Sequence, residues 1–185
     1  MAFKYPVDTV DTDSRDALTT GETVIPRRNV NTSSALSAGV MLLSYFTARK
    51  TESINSVRSA TGSTAAVGAT LARIGIYSVA SNGDITLVAS CANDTGLWIA
   101  TSTVYTKTLS AAFSKVRGSR YAVGFLIVGS STQPTLNSTV GLNSVELGLA
   151  PRICGFVSGQ TDLPSSVSAG SVGNTSVQLY AALAP

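Results

Sequence analysis

An Asn-Gly pair at positions 82–83 stands between two runs of alternating side chains. Arg73-Ile74-Gly75-Ile76-Tyr77-Ser78-Val79 precedes it, and Ile85-Thr86-Leu87-Val88-Ala89-Ser90-Cys91 follows. Asn and Gly tolerate the positive φ that both central positions of a type I′ turn require, and that turn matches the twist of paired strands. The pair therefore predicts a β-hairpin with residues 81–84 at its tip. By the two-residue period, Ile85, Leu87, Ala89 and Cys91 share one apolar face.

A lone hairpin is marginal in water and needs further strands to bury its face. From about residue 36 the chain supplies them as short β-branched and aromatic runs separated by turn residues. Strands are predicted over 40–48, over 52–60 with Ile54 and Val57 inward, and over 105–109. Others follow over 120–128, nearly continuous in apolar residues and so central, and over 144–149, 153–157 and 176–183. Helix signals are thin. Ala65 to Leu71 lacks caps and holds Gly68, while residues 108–117, with Ala111, Ala112 and Phe113, fit at most a turn or two. The expected class is all-β: an antiparallel, jelly-roll-like β-sandwich over residues 31–185.

Residues 1–30 read differently. They hold five of the ten acidic residues, show no sustained period, and carry Pro6 and Pro26, which favour extended backbone. The expectation is an extended N-terminal attachment arm, either disordered or laid along a partner. Phe3, Tyr5, Asp8, Asp11, Asp13, Arg27 and Arg28 are its candidate attachment residues. The Asp8–Asp16 run lacks the glycine and the bidentate glutamate of a calcium loop, so no metal is expected there.

The chain has no histidine among its 185 residues. That removes Ser-His-Asp and Cys-His catalysis and the commonest transition-metal ligand. Hydrolysis by paired carboxylates would have to draw on Glu52, Asp84, Asp94, Glu146 and Asp162, and no spacing ties any two together. Gly62 to Gly68 has the wrong spacing for a phosphate loop and no following Lys. The expectation is a non-enzymatic protein without cofactors. A net charge of +3, from 13 basic and 10 acidic residues, is too scattered for nucleic acid. Charged residues are only 12% of the chain and hydrophobic ones 44%, a surface economy that favours burial between subunits of a homo-oligomer over a Ser/Thr/Gly-coated monomer. Cys91 and Cys154 are read as buried thiols, though their spacing leaves a disulfide open. One binding site is conceivable. Trp98 follows Asn93 and Asp94 in the loop after the hairpin, and an exposed ring beside polar anchors suits sugar stacking; the competing reading has Trp98 plugging the end of the sandwich.

Neither a secretory leader nor a run of 18 apolar residues is visible, so the chain is expected to be made in a cytoplasm and to assemble there without membrane insertion. Several segments resemble a domain of virion structural proteins from phages of actinobacteria, the C-terminal β-sandwich of minor tail proteins. They are Val57 to Ala66, Gly68 to Tyr77, Asn82-Gly83-Asp84, Leu87 to Ser90, Asn93-Asp94-Thr95, Arg120 to Gly124, Leu149 to Arg152 and Gly159 to Pro164. The resemblance spans about residues 36 to 185 and brings no catalytic motif. It implies a sandwich displayed on a virion, often as a trimer, in contact with other virion proteins and with host glycans. The short arm departs from the long tail-protein pattern and also suits a capsid decoration protein or head fibre, the alternative expectation. A polysaccharide depolymerase is the remote third expectation.

Overall fold

The computed structural model describes residues 21–140 and 149–185, and over them the chain is an antiparallel all-β sandwich. In order the strands are β1 (Glu22–Thr23), β2 (Thr32–Ala35), β3 (Met41–Thr47), β4 (Glu52–Ala60), β5 (Leu71–Val79), β6 (Ile85–Ser90) and β7 (Val104–Lys115). They continue as β8 (Arg120–Val128), β9 (Thr135–Val140), β10 (Cys154–Val157), β11 (Ser166–Val167), β12 (Val177–Leu179) and β13 (Ala182–Ala184). Three sheets result, ordered β10-β3-β8-β5-β6-β11, β1-β13-β4-β7 and β12-β9-β2.

The six-stranded sheet is covered on both faces. Ile74, Ile76, Val123 and Phe125 point into the larger core, where Ile54 and Val57 of β4 meet them as expected. Met41, Leu43, Tyr77 and Leu126 point the other way, under Leu163, Val167 and Val172 of the segment leading to β12. That double burial explains why β3 and β8 read as unbroken apolar runs rather than as alternation. Gly75 and Gly124 face each other across β5 and β8 beside the Tyr77 ring. A Cβ on Gly124 would lie 2.9 Å from Tyr77 and 3.0 Å from Met41, so the absence of a side chain there makes room for the tyrosine.

The hairpin forms where predicted, with two differences. Only Gly83 has positive φ, at 91°. The Gly83 amide donates to Ala80 O and the Ala80 amide to Asp84 O, at 2.9 and 2.8 Å. This is a three-residue loop, a type I turn closed by a glycine bulge, and not a type I′ pair. A second bulge, at Val88, shifts the register between Ile76 and Tyr77. An extra residue reverses which face later side chains meet. Ile85 and Leu87 therefore face the smaller core, while Ala89 and Cys91 face the larger one.

Other expectations need correction. Residues 108–117 hold no helical turn; β7 runs through them and leaves register with β4 between Phe113 and Thr108. The excursion carries Leu109 to a bridge with Cys91, where the four- and six-stranded sheets join. The single strand expected over 176–183 is two strands in different sheets, with the crossing made at Tyr180 and Ala181. The strand expected over 144–149 falls mostly outside the described residues.

The boundary drawn at residue 30 also moves. Glu22 and Thr23 pair with Leu183 and Ala182, and Val24 and Ile25 lie in the larger core. Glu22 to Ile25 are therefore part of the sandwich, and Arg27 to Asn29 follow as an exposed 3-10 turn. What makes a buried Glu22 tolerable is Lys115, itself 0% exposed, whose ammonium sits 2.5 Å from Glu22 and 2.9 Å from Glu52. A third bond, 2.9 Å, runs from Lys115 to Lys50 O. Buried charge persists only when paired and hydrogen-bonded in this way.

Candidate functional site

The loop after the hairpin does not form the site that its residue types promised. Trp98 is 0% exposed, tilted against Phe125, and donates from Nε1 to the buried Ser59 hydroxyl at 2.9 Å. A ring enclosed in the core cannot stack on a sugar, so the exposed-Trp98 reading is corrected in favour of the plug. Asn93 is exposed, but its amide is spent on the β5 margin, accepting from Ala72 N at 3.0 Å and donating to Thr70 O at 3.2 Å. Asp94 pairs with Lys107 and accepts from Gly96 N at 2.8 Å. The Lys107 hydrogen bond, against some burial, holds the Asp94 carboxyl below its ordinary range. All three residues pin the loop instead of presenting it.

A different group of side chains converges at the start of β8. Thr47 pairs with Arg120 and Tyr45 with Ala122, so Tyr45 and Arg120 are diagonal neighbours on one face of the sheet. The Arg120 guanidinium lies 5.6 Å from the centre of the Tyr45 ring, within cation–π range. On the other flank β10 pairs with β3, and its lead-in places Arg152 alongside. Arg120 donates to Arg152 O, and Arg152 donates to Val172 O and Asn174 Oδ1, each at 2.8 Å. These bonds fix both guanidiniums as walls of a cleft of about 330 Å³. The hairpin loop from Val79 to Gly83 closes one side, and Ala150, Pro151, Ala169 and Val172 give it an apolar lining.

The charges in this cleft are unbalanced. Among the described residues neither Arg120 nor Arg152 makes an ion pair. A guanidinium carries five N–H donors, and the bonds above use only some of them. Tyr45 is 4% exposed, yet among the described residues its hydroxyl has no hydrogen-bond partner. Burial raises the Tyr45 pKa, with Arg152 and Arg120 opposing, so the phenol stays protonated at neutral pH. Burial also lowers the Arg120 pKa, with Tyr45 opposing, but an arginine remains charged.

The arginines named from sequence as attachment residues lie elsewhere. Arg27 and Arg28 form an exposed 3-10 turn, and Arg27 borders an open groove of about 490 Å³ with Val30, Arg58 and Tyr180. The Nε of Arg58 is buried there without a hydrogen-bond partner among the described residues. Phe3, Tyr5, Asp8, Asp11 and Asp13 lie outside the described residues.

The described carboxylates are engaged within the protein. Glu22 and Glu52 hold Lys115; Asp94 holds Lys107; Asp162 pairs with Arg73 at 2.7 Å; Asp84 accepts from Ala169 N at 2.8 Å. Glu146 lies outside the described residues. Both thiols are free and buried. Burial pushes Cys154 to about 11 and raises Cys91, so neither is a thiolate at neutral pH. Among the described residues no three His, Cys, Asp or Glu side chains are grouped to hold a metal.

Sequence reasoning missed Tyr45, Arg120 and Arg152. The only signal was a charge opening the apolar run at 120 and another beside Pro151. Both look like solubilising strand ends until the strand order is known. No family model matches the chain, and no curated protein is significantly similar to it.

Proposed function

We propose that this chain is a non-enzymatic structural protein of a tailed-phage particle, displayed on the virion surface and making contact with the host envelope. The observation that carries the reading is the Tyr45–Arg120–Arg152 cleft, which offers donors and an apolar wall for recognition. Near it lies no pair of carboxylates or activated nucleophile among the described residues. The segments resembling minor tail proteins support the same reading, and the sparse charge fits a chain that buries surface against copies of itself or other virion proteins. Residues preceding Gly21, with Arg27 and Arg28, would provide the attachment.

Labelling intact particles with an antibody against residues 31–185 tests the reading. Label on the tail, with binding of the purified chain to host cell walls and no release of sugar from them, is the expected result. Label spread over the capsid shell would replace it with the decoration-protein reading. Steady release of reducing sugar by the purified chain would overturn both.

A further inference from the structure

We propose that the cleft between Arg120 and Arg152 is a subsite for one acidic sugar unit, a monosaccharide bearing a carboxylate or a phosphate group. The glycan-contacting reading above supplies the expectation of a sugar; the acid group is inferred from the cleft itself.

Three observations converge. First, two part-buried guanidiniums are oriented by backbone carbonyls and the Asn174 side chain, and among the described residues no acid pairs with either. Planar arginine forks bind carboxylate and phosphate oxygens in pairs, and a fork already fixed in place loses less freedom on doing so. Second, the Arg120 guanidinium lies over the Tyr45 ring, 5.6 Å from its centre, so an aromatic face holds the fork at the wall of the cleft. Third, about 330 Å³ lies at the small end of ligand-site volumes, enough for one ring rather than a chain of them. Val79, Pro151 and Val172 offer a wall to the C–H face of that ring, and Ser81 lies at the hairpin side. The acid of the hairpin loop, Asp84, keeps its charge but does not line the cleft; its carboxylate accepts from Ala169 N and the Asn82 amide.

Calorimetric titration of the full chain with glucuronate, glucose 6-phosphate, glucose and inorganic phosphate tests the assignment. At least one acidic sugar should bind at a single site, at least tenfold more tightly than glucose or inorganic phosphate. Which of the two it is distinguishes a carboxylate-bearing from a phosphate-bearing source. Arg120→Met and Arg152→Met should each weaken that binding at least tenfold, in variants whose circular dichroism matches the parent. If either does not fold, Arg152→Lys, which keeps the charge and loses the fork, should still weaken it several-fold. Equal affinity for glucose and the acidic sugars, or parental affinity in the folded arginine variants, overturns the proposal. Equal affinity for inorganic phosphate leaves an adventitious ion only, and overturns it too. These outcomes are independent of particle labelling, so a chain located on the capsid could still bind glucuronate, and a tail protein could fail to.

Discussion

Lys115 and the Arg120–Arg152 pair are both basic and both withdrawn from water, but they are partnered in opposite ways. Lys115 meets two carboxylates and a carbonyl inside the protein, and nothing remains for it to bind. The arginines meet carbonyls, and among the described residues no acid cancels their charge. A buried cation whose counter-charge comes from its own chain fastens the fold. One held only by neutral oxygens is oriented but unneutralised, and in that state it can select an anion.

The largest break in that comparison is Lys115→Met. It leaves Glu22 and Glu52 without their shared cation and should cost about 3–5 kcal/mol in urea unfolding. A loss below about 1 kcal/mol would mean that the cluster does not fasten β1 to the sheet. Next, Trp98→Phe removes the bond to Ser59 and part of the plug, for an expected loss of about 1–3 kcal/mol. Loss of sugar binding in a stable Trp98→Phe protein would restore the loop as a site. Tyr45→Phe sharpens the contrast from the other side. Removing an unpartnered buried hydroxyl should raise the stability of the free protein by about 1 kcal/mol, and a drop instead would show that the hydroxyl has a partner.

The smallest effect concerns acid. Burial alone would raise the Glu52 pKa, but hydrogen bonds from Lys50 and Lys115 outweigh it and hold the carboxyl below its ordinary 4.5. A depressed folded pKa contributes stability above the unfolded value and loses it as pH falls through the folded one. The contribution of Glu52 is therefore full at neutral pH and fades below about 4.5. Glu52→Gln should cost a few tenths of a kcal/mol at pH 7, and the difference from the parent should shrink on acidification. A gap that stays constant down to pH 3 would break this account.

Much of the sandwich was legible because period-two patterning and turn chemistry are local. Glu52–Ala60 and Arg120–Val128 fall on their expected bounds, and Ile54 and Val57 point inward. The errors arise where a local pattern is overruled at a distance. Ile85 to Cys91 alternates without interruption, yet the Val88 bulge divides it between two cores, and only pairing with β5 reveals that. Leu87 is accordingly only half-buried, beside the fully buried Ile74 and Leu126. The short strands β2 and β9 are Ser- and Thr-rich text that reads as loop, and they become strands by pairing with each other and, for β9, with β12. The site illustrates the same limit. Trp98, Asn93 and Asp94 looked like a binding set because they are close in sequence. Tyr45, Arg120 and Arg152 did not, because three strands must pair before they meet.

The position of β13 has a consequence for synthesis. It lies between β1 and β4, so the four-stranded sheet has a gap in its middle until residues 182–184 have been made. Glu22 and Lys115 can approach each other earlier, but β1 has no neighbouring strand to pair with. Such a chain cannot close domain-first as it leaves the ribosome. Strand pairing this remote in sequence is slow, and the unfilled edge of β4 is exposed to pairing with other copies meanwhile. At high expression, misassembly should therefore begin at β4, and chains shortened by their last few residues should aggregate instead of folding with a frayed end.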